Sequence, residues 1–309
     1  MNRTEGGTIN ATPTTRLIHV SDVHVTAPAY RWFPEDWFNK RMAAWLNLRL
    51  LGRGRRFSRA DAVLATLMAE LRREPPDHVV FSGDATALGF DEEMVRAASL
   101  FGLDDPQPLP GIAVPGNHDY CTRRAAAGVF ERHFAAWQQG ERVDGSTYPF
   151  AQRVGPLWLV GVCSATPNRW PWDASGGVAA DELERLRRLL RRLEGGPRVL
   201  VTHYPVCTAS GKREGGTHRL RNLDELVEAA REGGVGLWLH GHRHDAYEHA
   251  CTAWTPFPVI CAGSSTQKRH WSYGDYAITG NQLRGVRRTY DLETGHFREA
   301  ETFELQLPG

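Results

Sequence analysis

The 309-residue chain is short of charge imbalance, of paired cysteines and of long apolar runs. Lys and Arg number 37 against 36 Asp and Glu, a net charge of +1, so no global field calls for nucleic acid or an acidic membrane. Any basic surface must be local. The five cysteines (Cys121, Cys163, Cys207, Cys251, Cys261) are odd in number, scattered and without a CxxC pair. That argues against a disulfide framework and fits a reducing compartment. No window approaches about 18 consecutive apolar residues, so no transmembrane helix is expected. The opening MNRTEGGTINATPTTR lacks the apolar stretch of a secretory signal, and the expected location is cytoplasmic. What is present is a hydrophobic content of 41%, enough for one large core without a second domain.

Residues 1–15, rich in Gly, Thr and Asn, read as a flexible arm ahead of a single domain over 16–309. Short apolar runs then recur: Leu17–Val20, His78–Phe81, Ile112–Val114, Trp158–Val160, Arg198–Val201, Leu237–Leu239 and Val259–Cys261. Such runs predict strands buried on both faces. Between them, Ser58–Arg73 (with Ser58 as its cap), Asp181–Leu193 and Asn222–Arg231 carry apolar residues at helical spacing. Strands alternating with helices imply an α/β layered fold. Residues 274–309 change to turn-linked strands around Gly280-Asn281 and read as a β-hairpin region.

The chemistry-bearing residues sit just past the strands, where open α/β sheets place ligands. Asp22 and His24 follow Val20-Ser21, and Gly83-Asp84 follow Phe81-Ser82. Gly116-Asn117-His118-Asp119 follow Val114-Pro115; His203 follows Val201-Thr202; and His240-Gly241-His242-Arg243-His244 follow Trp238-Leu239. Alternation along an extended segment would send Asp22 and His24, and likewise His242 and His244, to one side. Gly83, Gly116 and Gly241 would let the backbone turn sharply. Carboxylates, imidazoles and one amide oxygen form a mixed N/O set suited to Mn, Fe, Zn or Ni. Two such ions roughly 3.5–4 Å apart can clamp the entering and leaving oxygens of an in-line displacement.

The order DxH, GD, GNHD, H, GHxH over residues 16–292 resembles the calcineurin-like metallophosphoesterases. Val259–Thr266 also resembles the strand and small-residue loop of bacterial members related to cyclic-AMP phosphodiesterase. The resemblance implies a four-layer αββα sandwich with a two-metal site at the C-terminal ends of the strands. It implies Asp22, His24 and His244 on one metal, Asn117, His203 and His242 on the second, and Asp84 bridging. It further implies that a hydroxide held by the metals attacks phosphorus, that His118 protonates the leaving oxygen, and that Asp119 orients His118. Ala85-Thr86 stand where relatives often carry a larger apolar residue, which leaves the ligands untouched.

His19, His78 and His240 read as structural or supporting groups, and His133, His249 and His296 as ordinary surface or helix residues. Cys121 reads as a packed small hydrophobe. Three segments could select the substrate. Tyr30–Arg56 interleaves aromatics and leucines with basic residues: it is either a lid packing on the domain or an element contacting lipid or a membrane surface, with the lid preferred. Gly211–Arg221 could hold a second phosphate or be a solvated loop. Gln267–Tyr273 offers cations and rings that could stack on a base. The expected function is hydrolysis of a small-molecule phosphodiester, with cyclic nucleotides the class the resemblance implies. The alternative is pyrophosphate cleavage in a nucleotide-linked lipid precursor, as in UDP-diacylglucosamine hydrolases. A non-catalytic scaffold is opposed by the intact ligand set and His118. No specific nucleic acid is expected.

Overall fold

The structure, a computed structural model, describes residues 13–170 and 172–308. Strands β1 (Thr14–Val20), β2 (His78–Phe81) and β3 (Gly111–Ala113) come first along the chain, and β4 (Phe150–Val154) and β5 (Leu157–Gly161) follow. After them come β6 (Arg198–Val201), β7 (Val235–His240), β8 (Tyr247–His249) and β9 (Val259–Cys261). The chain ends in β10 (Ser272–Thr279), β11 (Gln282–Asp291) and β12 (His296–Gln306). Helices α1 (Lys40–Leu50), α2 (Arg53–Arg56), α3 (Ala60–Arg73) and α4 (Asp91–Phe101) precede α5 (Val129–His133), α6 (Ala180–Arg192) and α7 (Leu223–Glu232).

The strands form two six-stranded sheets, ordered β12-β11-β10-β1-β2-β3 and β4-β5-β6-β7-β9-β8. Side-chain alternation explains how they stack. In β5, β6 and β7, Leu157, Leu159, Val199, Val201, Leu237 and Leu239 join a core shared with Leu17, Val79, Val80 and Ile112 of the first sheet. Their neighbours Trp158, Val160, Leu200 and Trp238 point the other way, onto Leu186, Leu189 and Leu190 of α6 and Leu226 of α7. Helices α3 and α4 supply Leu64, Leu67, Met68, Met94 and Phe101 to the first sheet. The order helix, sheet, sheet, helix is the expected αββα sandwich.

Three expectations shift. Strand β1 already includes Thr14 and Thr15, pairing with Thr279 and Ile278, so those two residues of the expected arm belong to the sheet, and residues 1–12 of it lie outside the described residues. Ser58 does not cap α3; its hydroxyl donates to the Arg55 carbonyl, 3.1 Å, because the turn of α2 ends immediately before it. The C-terminal region is three antiparallel strands continuing the first sheet from β1, more than a hairpin. All five cysteines are free and four of them are buried. Among the described residues no helix is long and apolar enough to cross a membrane.

Candidate metal centre

Parallel pairing of β1 with β2 and β2 with β3, and of β5, β6, β7 and β9 in turn, brings the post-strand loops of both sheets to one edge. Backbone bonds then lock loop to loop. Asp22 N–H donates to the Gly83 carbonyl and His24 N–H to the Asp84 carbonyl, each at 3.0 Å, and Gly241 N–H donates to the His203 carbonyl at 3.1 Å.

Each carboxylate divides its two oxygens. Asp22 Oδ2 accepts from His242 N–H at 2.9 Å and from the Ser21 hydroxyl at 2.7 Å. Its Oδ1 is buried without a hydrogen-bond partner, 3.2 Å from His244 Nε2 and 3.8 Å from His24 Nε2. Asp84 Oδ1 accepts from His118 N–H at 2.8 Å, while Oδ2 lies 3.6 Å from His24 Nε2 and 3.4 Å from His203 Nε2. On the other side, Asn117 Oδ1 stands 3.2 Å from His203 Nε2 and 2.9 Å from His242 Nδ1. The imidazoles are oriented from behind: His24 Nδ1–H donates to Thr86 O, His203 Nδ1–H to Ser82 O and His244 Nδ1–H to Gln267 Oε1. Those bonds leave the Nε2 lone pairs of all three facing inward, the arrangement of metal-bound histidines.

The result is two sets of donor atoms that share Asp84: Asp22, His24 and His244 on one side, and Asn117, His203 and His242 on the other. Donors about 2.1 Å from a common ion sit about 3 Å from one another, close to the spacings found. An orphaned carboxylate oxygen, imidazole lone pairs converging on it and oxygen acceptors behind them fit divalent cations. Burial drives the pKa of His24 and His242 well below the ordinary imidazole value. Burial also opposes a charge on His203, but Asp84 and then Asp22 lift its pKa to about 9. Burial likewise opposes a charge on His244, but Asp22 raises its pKa, so the two buried carboxylates draw positive charge to the site.

The sequence motifs bring their residues together, by a different route from the one expected. Asp22, His24, Asp84, His242 and His244 all have positive φ, between 46° and 72°, so a left-handed turn at each of these five candidate donors, and not strand alternation, makes their side chains converge. Such residues cost on the order of 1–3 kcal/mol each, which the surrounding contacts must hold. Gly83 adopts φ +100 as expected, whereas Gly116 and Gly241 are needed for closeness: a Cβ there would collide with Asp84 and with Ser21, respectively.

The expected contact between Asp119 and His118 is corrected. His118 Nδ1–H donates to the Ala87 carbonyl at 2.7 Å. Asp119 turns away and accepts from Gly116 N–H, Ala85 N–H, Thr86 N–H and the Thr86 hydroxyl. It braces the Asp84 loop against the GNHD loop. Burial, and then the neighbouring Arg53, push the His118 imidazole down to about 3. His19, His78 and His240 are structural: His19 bonds Ser82 and Tyr276, His78 bonds Gln152, and His240 Nδ1–H meets the Gly241 carbonyl. Cys121 is buried against the Leu88 carbonyl.

A cleft of about 680 Å³ opens over the donor atoms, lined by Lys40, Arg53, Arg56, His118, Trp172, His218, Arg243 and Gln267 among others. Within Gly211–Arg221, Arg213 is paired with Asp224 and Arg221 bonds Thr166, Asn168 and Ser175, so His218 is the member that reaches the cleft. In Gln267–Tyr273 the Trp271 and Tyr273 rings are buried, Trp271 with its N–H on the Thr266 carbonyl, and the ring that reaches the cleft is that of His270. The Tyr30–Arg56 insert packs one face on the domain, with Tyr30, Trp32, Trp45 and Leu48 around Phe90, and lines the cleft with Lys40, Ala43, Ala44 and Asn47. Sequence reasoning missed Arg53 at His118, Gln267 behind His244 and Lys40, whose Nζ donates to the Asp173 carbonyl across the cleft mouth.

Comparisons with known proteins agree with this geometry. No curated protein matches the chain by sequence. The fold is shared with a dimetal phosphatase from Danio rerio, TM-score 0.66 at 13% identity, covering 95% of this chain and 99% of that one. It is shared with a purple acid phosphatase from yellow lupin (Lupinus luteus) seeds, TM-score 0.58 at 10% identity over 96% of this chain and 54% of that one. PhoD aligns with TM-score 0.57 at 8% identity, covering 96% and 70%. The model of the calcineurin-like phosphoesterase family, whose members use two divalent metal ions, matches residues 15–246. That span holds every donor atom of the two sets, and the chain belongs to the calcineurin-like phosphoesterase family.

Proposed function

We propose that this metal-dependent phosphoesterase is a phosphodiesterase acting on a small anionic ester of the (cyclic) nucleotide class, with His118 as the proton donor. The observation that carries the reading is the pairing of the two donor sets with a polar, cation-lined cleft that has His118 in its wall. Asp22, His24 and His244 would hold one ion and Asn117, His203 and His242 the other, with Asp84 shared between the two sets. When bound, the two ions supply charge neutralisation and an activated water for in-line displacement at phosphorus. The chain supplies the rest. His118 keeps Nδ1–H on Ala87, so Nε2 takes up a proton and passes it to the departing oxygen. Lys40, Arg53 and Arg56 draw the anion into the cleft. Chelated protein reloaded with Mn(II) should hydrolyse bis-p-nitrophenyl phosphate and 3′,5′-cyclic nucleotides faster than p-nitrophenyl phosphate. Preference for the monoester would overturn the diesterase assignment, and no turnover at full metal occupancy would overturn the enzyme.

A second reading, a pyrophosphohydrolase of a nucleotide-linked lipid precursor working at a membrane surface, is favoured by one observation. Among the described residues, five of the nine exposed large hydrophobics (Trp37, Phe38, Leu46, Leu50, Leu51) lie on the insert, and Trp170 and Trp172 lie on the segment it meets through Lys40. Apolar side chains beside Arg49, Arg55 and Arg56 suit an anionic lipid interface. Flotation with phosphatidylglycerol vesicles tests it: protein that stays at the bottom of the gradient at low salt removes the lipid reading.

A further inference from the structure

The insert does more than cover the cleft, because it delivers an arginine into it. Gly52, at φ +82, takes the left-handed turn between α1 and α2. Gly54 then lets α2 lie against α1, since a Cβ there would come 2.7 Å from the Leu48 carbonyl oxygen. This reversal drives Arg53 inward. Its Nη2 donates to His118 Nε2 at 2.9 Å, and its guanidinium leans over the Phe57 ring, whose edge packs on His24. Arg56, one turn on, lines the same cleft.

Arg53 has no ion pair among the described residues, and the carboxylates that act on its charge are those of the metal site, Asp84 and then Asp22. A guanidinium has five N–H donors in a fixed fork, and the single lone pair of His118 accepts only one of them. Arg53 is half-buried, and a charge partly withdrawn from water is stabilised where an anion completes it. Arg53 lines the same cleft as Asp84, Asn117, His242 and His244, where a tetrahedral oxyanion would meet the remaining donors.

We propose that Arg53 is a substrate-contacting residue: its guanidinium holds a non-bridging oxygen of the scissile phosphoryl group beside His118, so the insert is part of the catalytic apparatus. The proposal rests on the phosphoesterase reading, but its binding half can be measured without turnover. The resting contact with His118 is exchanged for the phosphoryl oxygen when substrate arrives, which frees the Nε2 lone pair to take up a proton from solvent and pass it to the leaving oxygen.

The test compares wild type, R53A and R53K as Mn(II)-loaded full-length protein. Metal content is read by atomic emission, inorganic phosphate binding by calorimetry, and turnover with bis-p-nitrophenyl phosphate. R53A should keep its metals, bind phosphate at least about tenfold more weakly and lose about 100-fold in kcat. R53K, which keeps the charge without the fork, should recover part of the phosphate affinity and about tenfold of the rate. If R53A does not fold, R53K carries the test against wild type. Phosphate affinity within about threefold of wild type in the folded variants overturns the proposal. Loss of metal in them also overturns it, assigning Arg53 a structural role. Wild type that binds phosphate through Arg53 yet turns over no ester would leave this contact standing and remove the enzymatic reading instead.

Discussion

Neighbours in sequence need not be partners in space, and His118 and Asp119 are the case in point. The GNHD motif makes both look like one catalytic unit, yet their side chains leave the backbone in different directions and find different partners. Motif reading singles out the candidate metal donors because residue type alone restricts them: few roles besides ligation suit two carboxylates, an amide and four imidazoles gathered after buried strands. It fails for Asp119 and Arg53, whose roles depend on which donor or acceptor lies within 3 Å, a property of the fold. The difference is measurable. H118A should keep both metals and lose turnover most for esters with poor leaving groups, since proton donation matters least when the leaving oxygen is a weak base. D119N should behave otherwise. Its amide would place an N–H donor against backbone N–H groups that Asp119 now satisfies, costing about 1–3 kcal/mol. Its rate should therefore fall with loss of metal and of thermal stability, equally for good and poor leaving groups. A leaving-group dependence like that of H118A would restore Asp119 to the chemistry.

Among the elements, what the sequence displayed was central and what it hid was peripheral. Strands β1, β2, β6, β7 and β9 are buried on both faces and announce themselves as apolar runs. Strands β4 and β8 were not anticipated; they lie at the two edges of the second sheet, where Gln152, Arg153, Glu248 and His249 break the apolar pattern. Helix α4 was missed as well, because two of its buried residues are alanines and its apolar stripe is faint. The insert is a different matter, since its composition suited both a lid and a lipid contact, and the structure gives each face its own character. Its anchor is Arg41, almost wholly buried. Nη1 pairs with Asp36 at 2.7 Å, Nε and Nη2 donate to the Leu88 and Gly89 carbonyls, and the guanidinium stacks 4.1 Å over Phe90. Arg41→Ala leaves Asp36 buried and uncompensated, at a cost of about 3–5 kcal/mol borne by the insert. Hydrogen exchange should accelerate across residues 30–56 and leave β6 and β7 protected, with turnover falling as Arg53 and Lys40 lose their footing. Uniform exchange across the chain would mean that the insert and the sandwich unfold together.

At the scale of the whole molecule, the metal centre is a seam between the two sheets. Asp22, Asp84 and Asn117 follow β1, β2 and β3 of one sheet, while His203, His242 and His244 follow β6 and β7 of the other. Each donor set mixes ligands from both sides. Without cations, that edge carries two buried carboxylates, an orphaned Asp22 oxygen and five residues in left-handed conformation, all of them unfavourable. The shared apolar core holds the sheets together elsewhere, so the fold does not depend on metal for its existence. Its stability does. A ligand that binds the folded state alone adds RT ln(1 + [L]/Kd), about 2.7 kcal/mol at a hundredfold excess over Kd, and two ions add more. Stripping the protein with EDTA should therefore lower Tm by several degrees, and Mn(II) should restore it in a concentration-dependent way. Asp84→Ala should abolish most of the Mn(II)-dependent rise, because its Oδ2 serves both donor sets, whereas His118→Ala should keep it in full. An Asp84→Ala protein whose Tm still climbs with Mn(II) as wild type does would mean that the two sites fill independently and that the seam is not closed through Asp84.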